Sequence, residues 1–387
     1  MNTWRYIKDD GVTASTGLAA DEVLAIRVGS NNSIPTLRLY TYKSHCALVG
    51  RFQTIENELN LDYCATHGIP VNRRPTGGGA IIMGADQLGV ALAIPGKSDD
   101  SYARVRGQMA LFSKGIILGL NTLGISAEFR RKNDLEVQGK KIAGLGLHRT
   151  SSGGLLFHAS LLVDLDVPFM LNVLNTPFEK ISDKEISAIS ERTTTVHREL
   201  CESSKLPQSL TMDEIRDTIL IGYKDAFNTD LPLGDYSISE LDEIRQLEKD
   251  KYMDNNWIFQ TTDVPDATGK AIIKTAGGLL DVRVVLAGKM IKSVFIRGDF
   301  FTSEHAIADL EQSLRWHTSQ ESAVSKTLSK VYERWSDDLT NLPMDSLIKA
   351  IEIATQKAIV FTRKVSADSY GCFVKTGVAQ KTFGVME

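Results

Sequence analysis

Hydrophobic and polar positions alternate along Thr36-Leu-Arg-Leu-Tyr-Thr-Tyr42, which predicts a strand with Leu37 and Leu39 on one face. Residues 70–74 read as extended, and residues 80–83 and 88–94 as further strands. The last run is nearly all apolar, the signature of a central strand covered on both faces. From Arg104 to Leu123 the spacing shifts to three and four, through Met109, Phe112, Ile116 and Leu120, and predicts a helix with one buried face. The strand period returns at residues 135–137. A Gln138-Gly139 turn, residues 141–144, the turn Ser151-Ser-Gly-Gly154 and residues 155–163 then predict successive antiparallel strands. Thr211-x-x-Glu214 reads as a capping box opening a helix to about Phe227, and Ser237-Ile-Ser-Glu240 opens another to about Lys251.

Beyond Asp254-Asn-Asn256 the pattern changes. Residues 278–286 and 289–297 alternate around Ala287-Gly288, a hairpin signal. Helices are predicted at 303–314, 323–335 and 343–359, and residues 366–387 read as an unpatterned tail. A chain of 387 residues exceeds the roughly 100–200 residues of an ordinary single core. We therefore expect two domains, 1–250 and 251–387, of α+β class, the first with a mixed, largely antiparallel sheet.

Composition narrows the function classes. Hydrophobic residues make up 42 % and charged residues 24 %, ordinary values for a soluble globular protein. A net charge of −4 leaves no basic footprint for nucleic acid. No apolar run of about 18 residues predicts a membrane span, and the amino terminus lacks a secretory h-region. Cys46, Cys64, Cys201 and Cys372 are widely spaced and read as free thiols in a reducing cytoplasm. No heptad or exposed apolar stripe argues for an oligomer, so a monomer is expected.

Three segments could carry chemistry. In Arg73-Arg74-Pro75-Thr76-Gly77-Gly78-Gly79-Ala80, consecutive glycines let backbone N–H groups converge on a phosphate or carboxylate, with an arginine fork beside them. The same residues also suit a plain hairpin turn beside a surface arginine. In Asn133-Asp134-Leu-Glu-Val-Gln-Gly139-Lys140-Lys141-Ile142-Ala-Gly144, alternation sets Lys141 on the face opposite Lys140 and Ile142. It is either a solvated hairpin lysine or a cleft lysine that neutralises developing charge. In Leu155-Leu-Phe-His158-Ala-Ser160, a single histidine sits in an apolar strand. It is either bonded to the backbone in the core or part of a site.

The order and spacing of the first two motifs resemble the lipoate-protein ligase family, which belongs with biotin ligases and octanoyltransferases. Residues 157–162 look like that family's next strand. Ile189-Ser-Glu-Arg-Thr-Thr-Thr195 is similar to a further family segment, and Gly278–Arg283 with Ile296–Phe301 resembles its accessory domain. The resemblance implies a catalytic domain of the biotin/lipoate ligase type with a smaller α+β accessory domain. It implies ATP-dependent activation of lipoate to lipoyl-AMP and transfer to a lysine of an acceptor. Arg74 would contact the adenylate. Gly77, Gly78 and Gly79 with Ala80, Ile81 and Ile82 would line the lipoyl and phosphate site, and His158 would join that set. Lys141 would hold the acyl carbonyl oxygen, while Asn133 and Asp134 would stand near the nucleotide, with Asp134 a candidate for Mg²⁺. The acceptor would be a 2-oxoacid dehydrogenase lipoyl domain, a glycine cleavage H protein or a lipoate-binding protein. An accessory domain implies that one chain completes both half-reactions.

Two alternatives stand beside the ligase. Met83-Gly84-Ala85-Asp86-Gln87-Leu88-Gly89 lacks the His-Asp that ligases of the family carry there and looks more like octanoyltransferases. Those carrier-protein acyltransferases need a cysteine nucleophile. The places where the family's transferases carry it hold Leu155 and Ala127-Glu-Phe-Arg-Arg131 here, which favours the ligase. The other alternative is a non-catalytic lipoyl-binding relative.

Overall fold

The apolar run at residues 88–94 is covered because it forms an inner strand. In the computed structural model, β6 (Gln87–Pro95) lies between β2 (Thr36–Tyr42) and β10 (Gly154–Leu162), and residues 87–93 are buried. The structure describes residues 3–96, 104–130, 133–174, 191–202, 210–260 and 268–367. Two units are formed, Met1–Thr261 and Thr262–Glu387.

In the first unit a seven-stranded sheet runs β1-β2-β6-β10-β9-β8-β7, with β1 at Arg5–Val12, β7 at Glu128–Arg130, β8 at Asp134–Val137 and β9 at Lys140–Arg149. Only β1 and β2 pair in parallel among these strands; the other ladders are antiparallel. A second sheet orders β4 (Val71–Arg73), β3 (Cys46–Val49) and β5 (Ile81–Met83) as β4-β3-β5. Gln138 and Gly139 take φ of 50° and 82°, the left-handed pair of a two-residue hairpin, as the sequence predicts. The expected helix at 104–123 is two helices, Val105–Phe112 and Lys114–Thr122. At the break the Tyr223 hydroxyl donates to the Phe112 carbonyl at 3.0 Å, supplying a partner at the helix end.

Helix α1 (Ala14–Gly29) was not visible as a periodic stripe. Eleven of its sixteen residues are buried, including Asp21 and Glu22, so no polar face marks it. Its start is fixed by Thr13, whose side chain accepts from the Thr16 amide. Asp21 is held by Arg38 at 2.7 Å and Glu22 by Lys251 at 2.7 Å. Close approach to the sheet depends on Gly154, where a Cβ would stand 1.9 Å from the Ala25 carbonyl oxygen. Both expected capping boxes are present, opening helices Met212–Phe227 and Ile238–Leu247.

The second unit has an antiparallel sheet β11-β12-β13-β14, with strands Thr268–Lys274, Leu279–Ala287, Met290–Gly298 and His317–Thr318. The β12–β13 hairpin turns at Gly288, φ 62°. Helices Glu304–Ser313, Glu321–Arg334 and Met344–Ala367 follow. The last lies against β11 and β12, and a Cβ on Gly269 would meet the Ala354 carbonyl at 1.7 Å. Ile189, Ser190, Cys372 and the rest of the tail beyond 367 lie outside the described residues. Among the described residues no helix is long and apolar enough to cross a membrane.

Candidate active site

The two arginines before the glycine triplet have different jobs. Arg73 is fully buried and points away from the cleft described below, donating to the carbonyls of Gly50, Arg51, Gln53, Trp257 and Ile258. Arg74 turns the other way. Its guanidinium donates to the Leu48, Gly77 and Gly79 carbonyls at 3.1, 3.1 and 2.6 Å and to Thr76 Oγ1 at 3.1 Å. No carboxylate contacts it among the described residues. Burial pulls its pKa down to about 10, so it stays cationic at neutral pH. The loop therefore folds around a buried, uncompensated positive charge. Gly78 takes the left-handed φ of 95°, and its carbonyl packs so closely on Gly50 that a Cβ there would stand 2.1 Å away.

The hairpin lysine is aimed by a bulge. Glu136 pairs with Lys141 but Leu135 pairs with Ala143, so Ile142 is the extra residue of β9. Ile142 is buried in the core, and Lys141 comes onto the face of Gly144, where a Cβ would stand 3.1 Å from Lys141 Nζ. Lys141 Nζ pairs with Asp134 Oδ1 at 2.7 Å. Its backbone is fixed by the segment the sequence marked at 189–195: the Lys141 amide donates to the Arg192 carbonyl, and the Thr194 amide to the Lys141 carbonyl, each at 2.8 Å.

His158 stands on β10 opposite Gly146. Its Nε2 lies 2.8 Å from Thr76 Oγ1. The same oxygen accepts from Arg74 Nε, so Thr76 links the arginine to the imidazole. Burial, then the charge of Arg74 and the neighbouring His148, push the His158 pKa down to about 3. At working pH it is a neutral hydrogen-bonding group.

These elements enclose a cleft of about 640 Å³, open mouth included. Of the expected residues, Arg74, Gly79, Ala80, Ile81, Asn133, Lys141 and His158 line it. Gly77 and Gly78 shape the loop behind the wall, and Ile82 is buried in the core beside Ala47 and Val49. Asn133 bonds the Leu145 carbonyl through its side chain. Asp134 does not face the cleft as a free carboxylate, since Lys141 engages it, and no group of three His, Cys, Asp or Glu converges among the described residues. With Asp134 engaged by Lys141, no resident Mg²⁺ is assigned to it, and no step below passes through one. Leu18 of α1, Tyr40 and Tyr42 of β2, and Ser160 of β10 also line the cleft without having been singled out. The alternation at 36–42 could have flagged the tyrosines, whereas α1 offered no signal.

Residues 13–224 match the family model described as lipoyl protein ligase A/B catalytic domain. The chain belongs to this family. Residues 265–351 match a second model, bacterial lipoate protein ligase C-terminus. Among similar proteins is octanoyltransferase LipM of Carboxydothermus hydrogenoformans, 27 % identical over 286 residues, which spans 67 % of this chain and all of that relative. Among solved structures is a bipartite lipoate protein ligase of an archaeal lipoylation system from Thermoplasma acidophilum. It has 25 % identity and a TM-score of 0.59, covering 68 % of this chain and all of that one. LipL1 of P. falciparum, solved with lipoate, shares the fold at 17 % identity and a TM-score of 0.68, covering 90 % of this chain and 99 % of its own.

Proposed function

We propose that this lipoyl ligase family member is a lipoate-protein ligase: it forms lipoyl-AMP from lipoate and ATP and passes the lipoyl group to a lysine of an acceptor protein. One observation carries the choice. The similar octanoyltransferase is accounted for in full by two thirds of this chain, while residues 265–351 match the lipoate ligase C-terminus model. The extra domain therefore has its counterpart on the ligase side.

The cleft suits that chemistry. A carboxylate is a poor acyl donor, and adenylation supplies a leaving group without any protein nucleophile. Arg74, cationic and lacking a carboxylate partner, fits the phosphate of the adenylate. Lys141, aimed over the bare backbone of Gly144, fits the acyl carbonyl oxygen, where negative charge grows as the acceptor amine attacks. Asp134 holds that lysine in place. His158 stays neutral and so does not compete for the anion. A divalent ion accompanying ATP belongs to the substrate. The acceptor is a lipoyl domain, an H protein or a lipoate-binding protein; the bipartite archaeal ligase was solved with an E2 lipoyl domain in its system.

The transferase reading has the named relatives in its favour. It needs a thiolate, and the described cysteines do not line the cleft. Cys46 is buried and its thiol is pushed up to about 12; burial raises Cys64 as well, and Cys201 is exposed on the helix Val196–Glu202. The deciding experiment is pyrophosphate release from ATP with lipoate, with and without an apo lipoyl domain. Lipoate-dependent release is expected. Its absence, with acyl transfer from an octanoyl carrier protein instead, would replace the ligase by the transferase.

A further inference from the structure

The floor of the cleft holds a polar side chain that the reaction above leaves unused. Ser160 lies two residues beyond His158 on β10, so alternation turns both toward the cleft. Arg74, Asn133, Lys141, His158 and Tyr40 each have a protein partner already. The Ser160 hydroxyl makes no hydrogen bond among the described residues, and the residue is 8 % exposed. Its hydroxyl opens onto the cleft, where it is free to donate to a bound ligand.

The strand positions beside Ser160 are glycines whose side-chain space other residues fill: the Tyr40 ring lies 2.4 Å from the Cβ position of Gly89. Ser160 faces Gly144 across β9 and Gly89 across β6. The space a Gly144 side chain would fill is taken by Lys141, whose Nζ is 3.1 Å and Cε 3.3 Å from that Cβ position. Directly opposed residues on antiparallel strands bring their Cβ positions to about 4.5–5.5 Å. Ser160 and the Lys141 ammonium therefore stand on the same face of the β9–β10 pair, on either side of the Gly144 backbone.

We propose that Ser160 is the second donor of the oxyanion site, a catalytic residue for acyl transfer that works beside Lys141. This rests on the acyl-transfer reading of the cleft and holds for either donor, adenylate or thioester. When the acceptor's neutral ε-amine attacks the acyl carbon, the new C–N bond moves the carbonyl π pair onto oxygen. That oxygen accepts hydrogen bonds from Lys141 Nζ and Ser160 Oγ. Collapse restores the C=O bond, breaks the acyl–phosphate C–O bond and releases AMP, and the surplus amine proton passes to water. Adenylation creates no tetrahedral carbon, so Ser160 acts in the second half-reaction alone.

The test compares Ser160→Val with Ser160→Thr, a pair of one shape differing in the hydroxyl. Single-turnover transfer from supplied lipoyl-adenylate to an apo lipoyl domain is measured in the full chain, and lipoate-dependent pyrophosphate release from ATP separately. Ser160→Val is expected to slow transfer by about 10²-fold, the lower bound for losing one oxyanion donor, with pyrophosphate release and half-saturating acceptor concentration unchanged. Ser160→Thr is expected to transfer near the wild-type rate. Equal transfer by the two variants, or a parallel fall of both half-reactions in Ser160→Val alone, overturns the proposal. Ser160→Ala repeats the comparison without added bulk. A wild-type chain that transfers from a thioester but releases no pyrophosphate overturns the ligase reading only, and the same variants then decide Ser160's role on that donor.

Discussion

Arg73 clamps the first unit from behind the glycine loop, and replacing it with lysine tests that clamp. Its guanidinium meets the carbonyls of Gln53 at 2.6 Å, Gly50 at 2.9 Å, Ile258 at 3.0 Å, and Arg51 and Trp257 at 3.1 Å. The Trp257 indole N–H returns a bond to the Arg73 carbonyl at 2.9 Å. A lysine head has three donors on one point and cannot serve acceptors on both sides of a planar fork. Each charge-assisted bond is worth about 1.5–3 kcal/mol, yet the five cannot add, since their sum would rival the 5–15 kcal/mol stability of a whole domain. Carbonyls left buried and unpaired put the cost of Arg73→Lys on the order of 4 kcal/mol. Urea unfolding followed by circular dichroism reads it directly. Because the clamped loop packs on Thr76 and Gly78, the substrate KM is expected to rise as well. A variant that unfolds at the wild-type urea concentration would refute the reasoning, since the clamp would then hold nothing.

Lys141→Ala is expected to leave the unfolding midpoint within about 1 kcal/mol, as for a part-exposed ion pair, while removing transfer by at least 10²-fold; single-turnover transfer within tenfold of wild type would refute its role. Replacing all four cysteines with serine or alanine is expected to leave lipoate-dependent acceptor modification intact, measured by mass of the acceptor. A loss traced to one cysteine would revive the transferase. Burial would raise the Glu240 pKa, but hydrogen bonds from Arg5 and the Ser237 amide outweigh it and hold the carboxylate at about 2. A depressed folded pKa gives stability present above the unfolded value near 4.5 and lost as pH falls toward 2. Glu240→Gln is therefore expected to cost on the order of 2 kcal/mol at pH 7 and to flatten that acid limb in pH-resolved urea titrations. With His158 at about 3, the transfer rate is expected to show no inflection from it between pH 5 and 8, and His158→Gln should leave the profile's shape unchanged.

What sequence made legible follows from range. The β8–β9 turn is written locally in Gln138-Gly139, and the capping boxes at Thr211 and Ser237 lie within one helical turn. Alternation separated Lys141 from Ile142, but it could not reveal the bulge that brings Lys141 onto the Gly144 face, because a bulge is defined only by its partner strand. Arg73 and Arg74 are neighbours with opposite tasks. Arg73 finds partners at Trp257 and Ile258, 184 and 185 positions away, which no local pattern encodes. Helix α1 hid because its polar residues are buried in ion pairs instead of facing solvent. Ser160 read as one more small residue of an apolar strand until the cleft gave it a direction.

The charges in the cleft bear on the choice of donor. Lys141 is balanced by Asp134 at 2.7 Å, and His158 is neutral, which leaves Arg74 as the uncompensated charge on the wall. Holding a cation in a buried loop on neutral acceptors alone is costly unless an anion arrives to meet it. A thioester brings no charge to that wall. An acyl-adenylate brings a phosphate, and the proposed reading sets its acyl carbon between Arg74 on the glycine loop and Lys141 on β9. In the proposed reading an adenylate would use both walls of the cleft, its phosphate meeting Arg74 and its acyl carbonyl Lys141.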